Sequence, residues 1–275
     1  MKTFTLEEFG NKLPVPLQNG DQLTRPSFDF KPWRMHEEKK IGEIKQKHRH
    51  LGRFVRELFD YMLGSWDGAD WLAMSANDRK LLLNRMPWAN IFYMYMWLRV
   101  DALGEEMKMQ GISCPSCNAS IDSYTADLNS LEVKCFGYHE DGEENKEEER
   151  IATYDLKKPF QVGEVKVTKL KYSFTPWDAM EKIKESTRNE GAIKESMMAA
   201  SYMGVATEES DHVELQKDKV LSQLSKRDIE GYYDALDGFN GGPVLGLDVV
   251  CDSCGHEFSN PLNWTYDYFF GISSR

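Results

Sequence analysis

Four of the five cysteines in this chain of 275 residues fall into two close pairs. Cys114 and Cys117 form the first pair, and Cys251 and Cys254 form the second. Because the N-terminal residues show no secretory signal, the C-x-x-C spacing favours metal or redox chemistry over a structural disulfide. Two such pairs supply the four thiolates of a closed, tetrahedral and structural Zn²⁺ site. The sequence therefore predicts one Zn²⁺ bound by these four side chains.

The residue after each pair indicates a tight turn that points both sulfurs at one ion. Asn118 and Gly255 occupy these positions, and they are the residue types that best tolerate a left-handed backbone. The 133 residues between Cys117 and Cys251 exceed the spacing of a compact zinc ribbon, so we expect one site split by a large insertion. Two unrelated pairs of buried thiols are one alternative. A thioredoxin-like redox pair is another, but neither pair has the βαβ context that it needs.

Two further residues are weaker candidates for the metal site. Cys135 follows Leu131 and Val133 in an alternating pattern, which predicts a buried core thiol rather than a ligand. His256 could replace a thiolate, but Cys254 is better placed.

The composition argues against a nucleic-acid or membrane protein. The chain holds 34 basic and 45 acidic residues, and its net charge of −11 repels phosphate backbones and anionic lipids. Residues 34–56 contain eight basic and three acidic side chains, which favours a solvated helix face over a nucleic-acid patch. No phosphate-binding loop, H-E-x-x-H or G-x-S-x-G motif occurs, so the sequence predicts a protein that is not an enzyme and has no catalytic residues.

The hydrophobic pattern divides the chain into three parts. Residues 1–40 are rich in proline and predict an extended N-terminal arm. Residues 41–139 with 243–275 predict a helical core that carries the zinc knuckles, and residues 150–242 predict an inserted α/β lobe. The acidic loop 140–149 between them is expected to be solvated. The predicted fold is therefore α+β and mainly helical, with a split four-Cys zinc-ribbon-like site and an inserted strand and helix lobe.

The order of several motifs resembles a known family. Asn77-Asp78-Arg79 precedes three leucines, a helix ending in LRVDALGEEM follows, and a strand leads into CPSC and then DLNSLEV, from Asp127 to Val133. This order is similar to that of the baseplate hub proteins of contractile-tailed bacteriophages. The later segment from Lys158 to Ile183 and the second knuckle near the aromatic C-terminus also resemble that family.

The resemblance implies a structural or assembly role in a phage tail baseplate. It implies a protein made in the host cytoplasm, found in the virion tail, and present in multiple copies in contact with other tail proteins. Both a permanent virion subunit and an assembly factor fit this role. A zinc-ribbon adaptor in a nucleic-acid-related complex is the alternative, and an enzyme of unrecognised type is a third. Residues 251–275 argue against the adaptor, because they hold only Arg275 against three acids.

The C-terminal aromatic residues predict one face of an extended strand. They alternate with other residues at a period of two, which favours either packing on the chain's own core or docking on a neighbouring subunit. The candidate partner-binding residues are Trp264, Tyr266, Tyr268, Phe269 and Phe270.

Truncation after Pro261 separates these two interpretations. If the aromatic face docks on a neighbour, the shortened protein folds and keeps its zinc but fails to enter the assembly. Circular dichroism, metal analysis and an assembly assay measure the three properties. Unfolding or loss of zinc would instead assign the face to the internal core.

Overall fold

The computed structural model describes residues 1–19, 22–48, 50–109, 111–139, 143–144, 150–181, 190–262 and 270. Helices make up 38% and strands 33% of the structure, and the strands form many small antiparallel sheets. The fold is therefore α+β, and the expectation of a mainly helical protein is wrong. Most of the strands are two to five residues long, which is too short for their alternating pattern to stand out in the sequence.

The helices of the described residues are numbered in chain order. Helices α1 to α9 span Leu6–Phe9, Met35–Lys47, Leu51–Met62, Ala76–Arg85, Trp88–Leu103, Asp178–Glu181, Glu190–Ser201, Lys217–Leu221 and Lys226–Asn240. Two single 3₁₀ turns lie at Trp71–Ala73 and Leu128–Ser130. None of these helices combines the length and the apolar composition that crossing a bilayer requires.

The strands of the described residues are numbered in the same way. Strands β1 to β17 span Lys2–Thr5, Leu17–Asn19, Gln22–Thr24, Phe28–Phe30, Leu63–Trp66, Ala69–Asp70, Glu106–Met109, Ile112–Ser113, Ser120–Ile121, Tyr124–Asp127, Glu132–Cys135, Ala152–Val162, Val165–Tyr172, Tyr202–Ala206, Gly242–Pro243, Gly246–Val250 and Glu257–Pro261.

In the part of the chain that the structure describes, three sheets have three strands each, in the orders β1-β11-β15, β4-β5-β6 and β12-β13-β14. Four are hairpin-like pairs, namely β2-β3, β7-β10, β8-β9 and β16-β17. All of the strand pairs are antiparallel.

Helix α5 is the centre of the largest hydrophobic cluster. Residues on every face of it are buried, as its nearly uninterrupted apolar sequence predicts. The sequence Ser75-Ala76-Asn77-Asp78 predicts a capping box at the start of the preceding helix, and the hydroxyl of Ser75 accepts a hydrogen bond from the backbone N–H of Asp78. Gly104, in a left-handed conformation at φ +83°, ends α5.

The N-terminal residues form short elements that pack on α5. Strand β1 pairs with β11, so that Lys2 lies opposite Cys135. Asn90, which is fully buried on α5, accepts a hydrogen bond from the N–H of Val15 and donates one to its carbonyl oxygen, both at 2.8 Å. The Asn90 side chain therefore satisfies both backbone polar groups of Val15.

One residue of the acidic loop, Glu144, forms an ion pair. Arg25 donates hydrogen bonds to the carbonyl oxygens of Leu13 and Pro14, and its Nε lies 3.3 Å from a carboxylate oxygen of Glu144. The expectation that the acids of this loop are only solvated therefore fails for Glu144.

A second hydrophobic cluster lies in residues 152–239, between the sheet β12-β13-β14 and helices α7 and α9. The sequence predicts a bulge near Lys169, and the register between β12 and β13 shifts there, between Asp155 and Phe160. The fully buried Asp228 at the start of α9 accepts a hydrogen bond from the N–H of Lys157 in the shifted stretch, which satisfies that donor.

Gly242 marks the closest approach between β15 and α5. A Cβ atom built on it lies 2.8 Å from the Cβ of Ala89, and its φ is +88°. Only glycine therefore fits at position 242, where the chain passes α5.

Gly242→Ala is expected to lower the free energy of unfolding by about 2–4 kcal/mol, from the sum of left-handed strain and overpacking. Urea unfolding followed by circular dichroism measures this change. Gly238→Ala is the matched control, because Gly238 lies exposed in α9 with open space around a Cβ. That substitution should stabilise the helix by up to about 1 kcal/mol, and equal effects of the two would contradict the packing argument.

Candidate metal centre

The first cysteine pair lies in the turn between β8 and β9. The N–H of Asn118 donates to the carbonyl oxygen of Cys114 at 2.9 Å, and the N–H of Cys114 donates to that of Ala119 at 3.0 Å. Asn118 has a φ of +57°, as the sequence predicts. These bonds close the turn so that both thiols lie on one side of the hairpin.

The second pair repeats this geometry between β16 and β17. The N–H of Gly255 donates to the carbonyl oxygen of Cys251 at 2.8 Å, and the N–H of Cys251 donates to that of His256 at 2.9 Å. Gly255 has a φ of +69°, which confirms the second left-handed position. The two turns are therefore equivalent knuckles.

The two knuckles face each other and bring all four sulfurs together. The Sγ atoms of Cys114 and Cys254 are 3.8 Å apart, and those of Cys117 and Cys251 are 3.7 Å apart. All four lie within 4.8 Å of one another, and this group can hold a metal ion. One cysteine of each knuckle is buried and the other is exposed, so the cluster sits at the edge of the core.

The two thiols of the first knuckle have pKa values that are shifted in opposite directions. Burial raises the pKa of Cys114, but hydrogen bonds from the backbone N–H groups of Cys117 and Ser116 and from the thiols of Cys251 and Cys117 together hold its pKa below the usual value. At Cys117 the N–H of Ala119 lowers the pKa, whereas the thiol of Cys254 raises it, and the net shift is upward. The two thiols of this knuckle therefore differ in how readily they lose a proton, and a bound cation would favour the thiolate form of both.

Apolar packing and a hydrogen bond also attach the second knuckle to the core. Leu247 and Val249 of β16 are buried in the main hydrophobic cluster together with Met107 and Met109 of β7. The Oη of Tyr124 in β10 donates to the carbonyl oxygen of Asp248 at 2.9 Å. The hairpin therefore has apolar and polar anchors beside the thiol cluster.

Neither weaker candidate joins the cluster. Cys135 is fully buried in β11, which confirms the predicted core thiol, and burial raises its pKa to about 12. His256 contributes its backbone carbonyl to the second knuckle, and its ring lies 6.0 Å from the ring of Phe258. Among the described residues, the metal-ligating group consists of the four cysteines alone.

Of the C-terminal aromatic residues, Trp264, Tyr266, Tyr268 and Phe269 lie outside the described residues. Phe270 is buried, with its ring 5.1 Å from that of Trp33 and 5.2 Å from that of Tyr95. The sequence offers no signal for this contact, because the residues come from three distant segments. For Phe270 the geometry favours packing on the chain's own core.

The comparisons with known proteins identify a family. A model of the family described as "T4 bacteriophage base plate protein" matches residues 17–263, which include all four cysteines of the cluster. No curated protein and no solved structure matches the chain. Because the family match covers most of the chain, the protein belongs to the T4 bacteriophage base plate protein family, and this membership associates it with the phage tail.

The left-handed turn after the first knuckle can be tested directly. Asn118→Val is expected to lower the free energy of unfolding by about 1–2 kcal/mol, because a β-branched residue is strained at positive φ. Asn118→Gly, the matched control, should stay within about 1 kcal/mol of the wild type. Urea unfolding gives both values, and a thiol reagent should reach the buried Cys114 faster in the valine variant. Equal stability of the two variants would show that the turn does not depend on this conformation.

Proposed function

We propose that this member of the T4 bacteriophage base plate protein family is a structural or assembly protein of the baseplate hub. It acts through contacts with other tail proteins rather than through catalysis. The observation that carries the proposal is the family match over residues 17–263, which includes most of the main hydrophobic cluster, the second cluster and the four-thiol group. Multiple copies in the assembly and synthesis in the host cytoplasm are part of the same proposal.

The metal of the four-thiol group is proposed to be a structural Zn²⁺. Four sulfurs at ~2.3 Å from one ion at the corners of a tetrahedron are about 3.8 Å apart. The distances between the knuckles, 3.8 Å and 3.7 Å, agree with that arrangement. A shell of four thiolates leaves no open position for a substrate, so the ion would join the two knuckles and not act as a catalyst.

The surface of the knuckles supports a protein role over the nucleic-acid alternative. The exposed residues at their tips are Pro115 and Ser116 in the first and Asp252 and Ser253 in the second. None of the four is basic, and the net charge of the chain is −11. A nucleic-acid adaptor would need cations at such a position.

The division into an arm, a core and an inserted lobe stays a proposal. It is supported by the separate hydrophobic cluster within residues 152–239. The lobe would be an insertion between the two knuckles, attached through the acidic loop and through the glycine-rich segment before β16.

An amber mutation in the gene of the encoding phage tests the role. Without the protein, infected cells should contain no complete baseplates, and plasmid-borne wild-type protein should restore them. Cys117→Ser with Cys254→Ser should fail to restore them, because two of the four ligands are lost. The matched control Cys135→Ala removes a thiol outside the cluster and should restore assembly.

Electron microscopy of lysates and plating efficiency give the readout. Normal baseplates in the amber mutant would contradict the proposed role. Mass spectrometry of purified virions then distinguishes a permanent subunit, which is present, from an assembly factor, which is absent.

A further inference from the structure

Helix α4 presents two different faces. Arg79 and Leu83 point into the protein, where Arg79 donates to a carboxylate oxygen of Asp60 at 2.7 Å and Leu83 is fully buried. Asp78, Leu81, Leu82 and Arg85 follow the i, i+3, i+4, i+7 spacing and form a separate stripe along the helix. Asp78, Leu81 and Arg85 of this stripe are exposed, whereas Leu82 is half-buried and packs against the main hydrophobic cluster.

That stripe lines a groove of about 450 Å³. The other walls come from β2, from the junction between α4 and α5, and from Arg150, and they include Leu17, Met86 and Pro87. Leu81 is 43% exposed beside it. Leu81 therefore adds an apolar side chain to the accessible lining of the groove.

The groove carries an excess of positive charge. Arg85 is exposed at the end of α4, and within the described part of the chain no carboxylate pairs with it or with Arg150. The carboxylate of Asp78 is engaged locally, because it accepts a hydrogen bond from the hydroxyl of Ser75 at 2.6 Å.

Arg150 is held in this position by a hydrogen bond and a contact with an aromatic ring. Its Nη1 donates to the carbonyl oxygen of Pro16 at 2.8 Å, and its guanidinium lies 5.2 Å from the ring centre of Phe174. Burial lowers the pKa of Arg150, because its guanidinium has lost water, and within the described residues no carboxylate pairs with it as a counter-ion. A carboxylate entering the groove would supply that counter-ion.

We infer that this groove, which we name the α4 groove, binds an acidic segment of another tail protein, with a leucine-sized apolar side chain against Leu81 and a carboxylate between Arg85 and Arg150. The inference rests on the proposed function and adds to it the surface and the chemistry of the partner. Apolar lining supplies the buried area, and the two guanidinium groups select the sign of the partner's charge.

Site-specific cross-linking in infected cells tests the inference. The amber phage is complemented with the full chain carrying the photoreactive residue benzoylphenylalanine in place of Leu81, and cross-linked peptides are identified by mass spectrometry. The expected product joins position 81 to a peptide of another tail protein that contains Asp or Glu next to an apolar residue.

Charge reversal makes the test specific. Arg85→Glu should reduce the cross-link about tenfold, which corresponds to about 1.4 kcal/mol. Lys80→Glu is the matched control, since Lys80 is exposed on α4 outside the groove, and it should leave the yield unchanged. Replacing the captured acid of the partner by lysine should restore the cross-link to the Arg85→Glu chain. Thermal melting confirms that both exposed variants fold.

A cross-link to a second copy of this chain, to a peptide without a carboxylate, or with a yield insensitive to Arg85→Glu would overturn the inference. If the amber mutant lacks baseplates but position 81 gives no cross-link, the α4 groove is refuted and the proposed role stands. If the amber mutant forms normal baseplates, the proposed role itself fails.

Discussion

The contact between two short hairpins constrains the path of the chain between them, because 133 residues separate Cys117 of the first hairpin from Cys251 of the second. Because the Sγ atoms of Cys117 and Cys251 are 3.7 Å apart, the chain between these two residues forms a closed loop that begins and ends at the thiol cluster. Closing a flexible loop of this length costs about 4 kcal/mol in chain entropy, beyond a constant. A structural zinc ion, with an apparent binding free energy of roughly 10–16 kcal/mol in small peptides, would more than offset that cost.

Buried polar side chains fix the returning chain at a second place. Thr175 and Asn240 exchange two hydrogen bonds in the interior, and the carbonyl oxygen of Thr175 accepts the N–H of Trp88 at the start of α5. Unpaired, these buried groups would each cost about 1–3 kcal/mol, so they define one arrangement of the chain around α5. The same junction, between α4 and α5, forms one wall of the α4 groove. The position of the proposed partner surface is therefore tied to the core and not to a loose segment.

The long elements and the knuckles could be predicted from sequence because their signals are local. The cap at Ser75, the apolar run of α5 and the left-handed residues Asn118 and Gly255 each act within a few positions. The strand content could not be predicted in the same way, since β1 and β15 gain their partners from distant segments. The contact of Phe270 with Trp33, and the groove between α4 and Arg150, likewise depend on tertiary packing that no spacing in the sequence records.

Native mass spectrometry combined with hydrogen exchange tests the metal-joined knuckles most directly. Freshly purified protein should carry one zinc ion per chain, which is lost on denaturation. Removal of that ion by a chelator under reducing conditions should speed amide exchange in β8, β9, β16 and β17 while the sheet β12-β13-β14 stays protected. A chain that folds with no metal, or whose knuckle amides exchange at the same rate with and without the ion, would contradict the view that a metal joins the two hairpins.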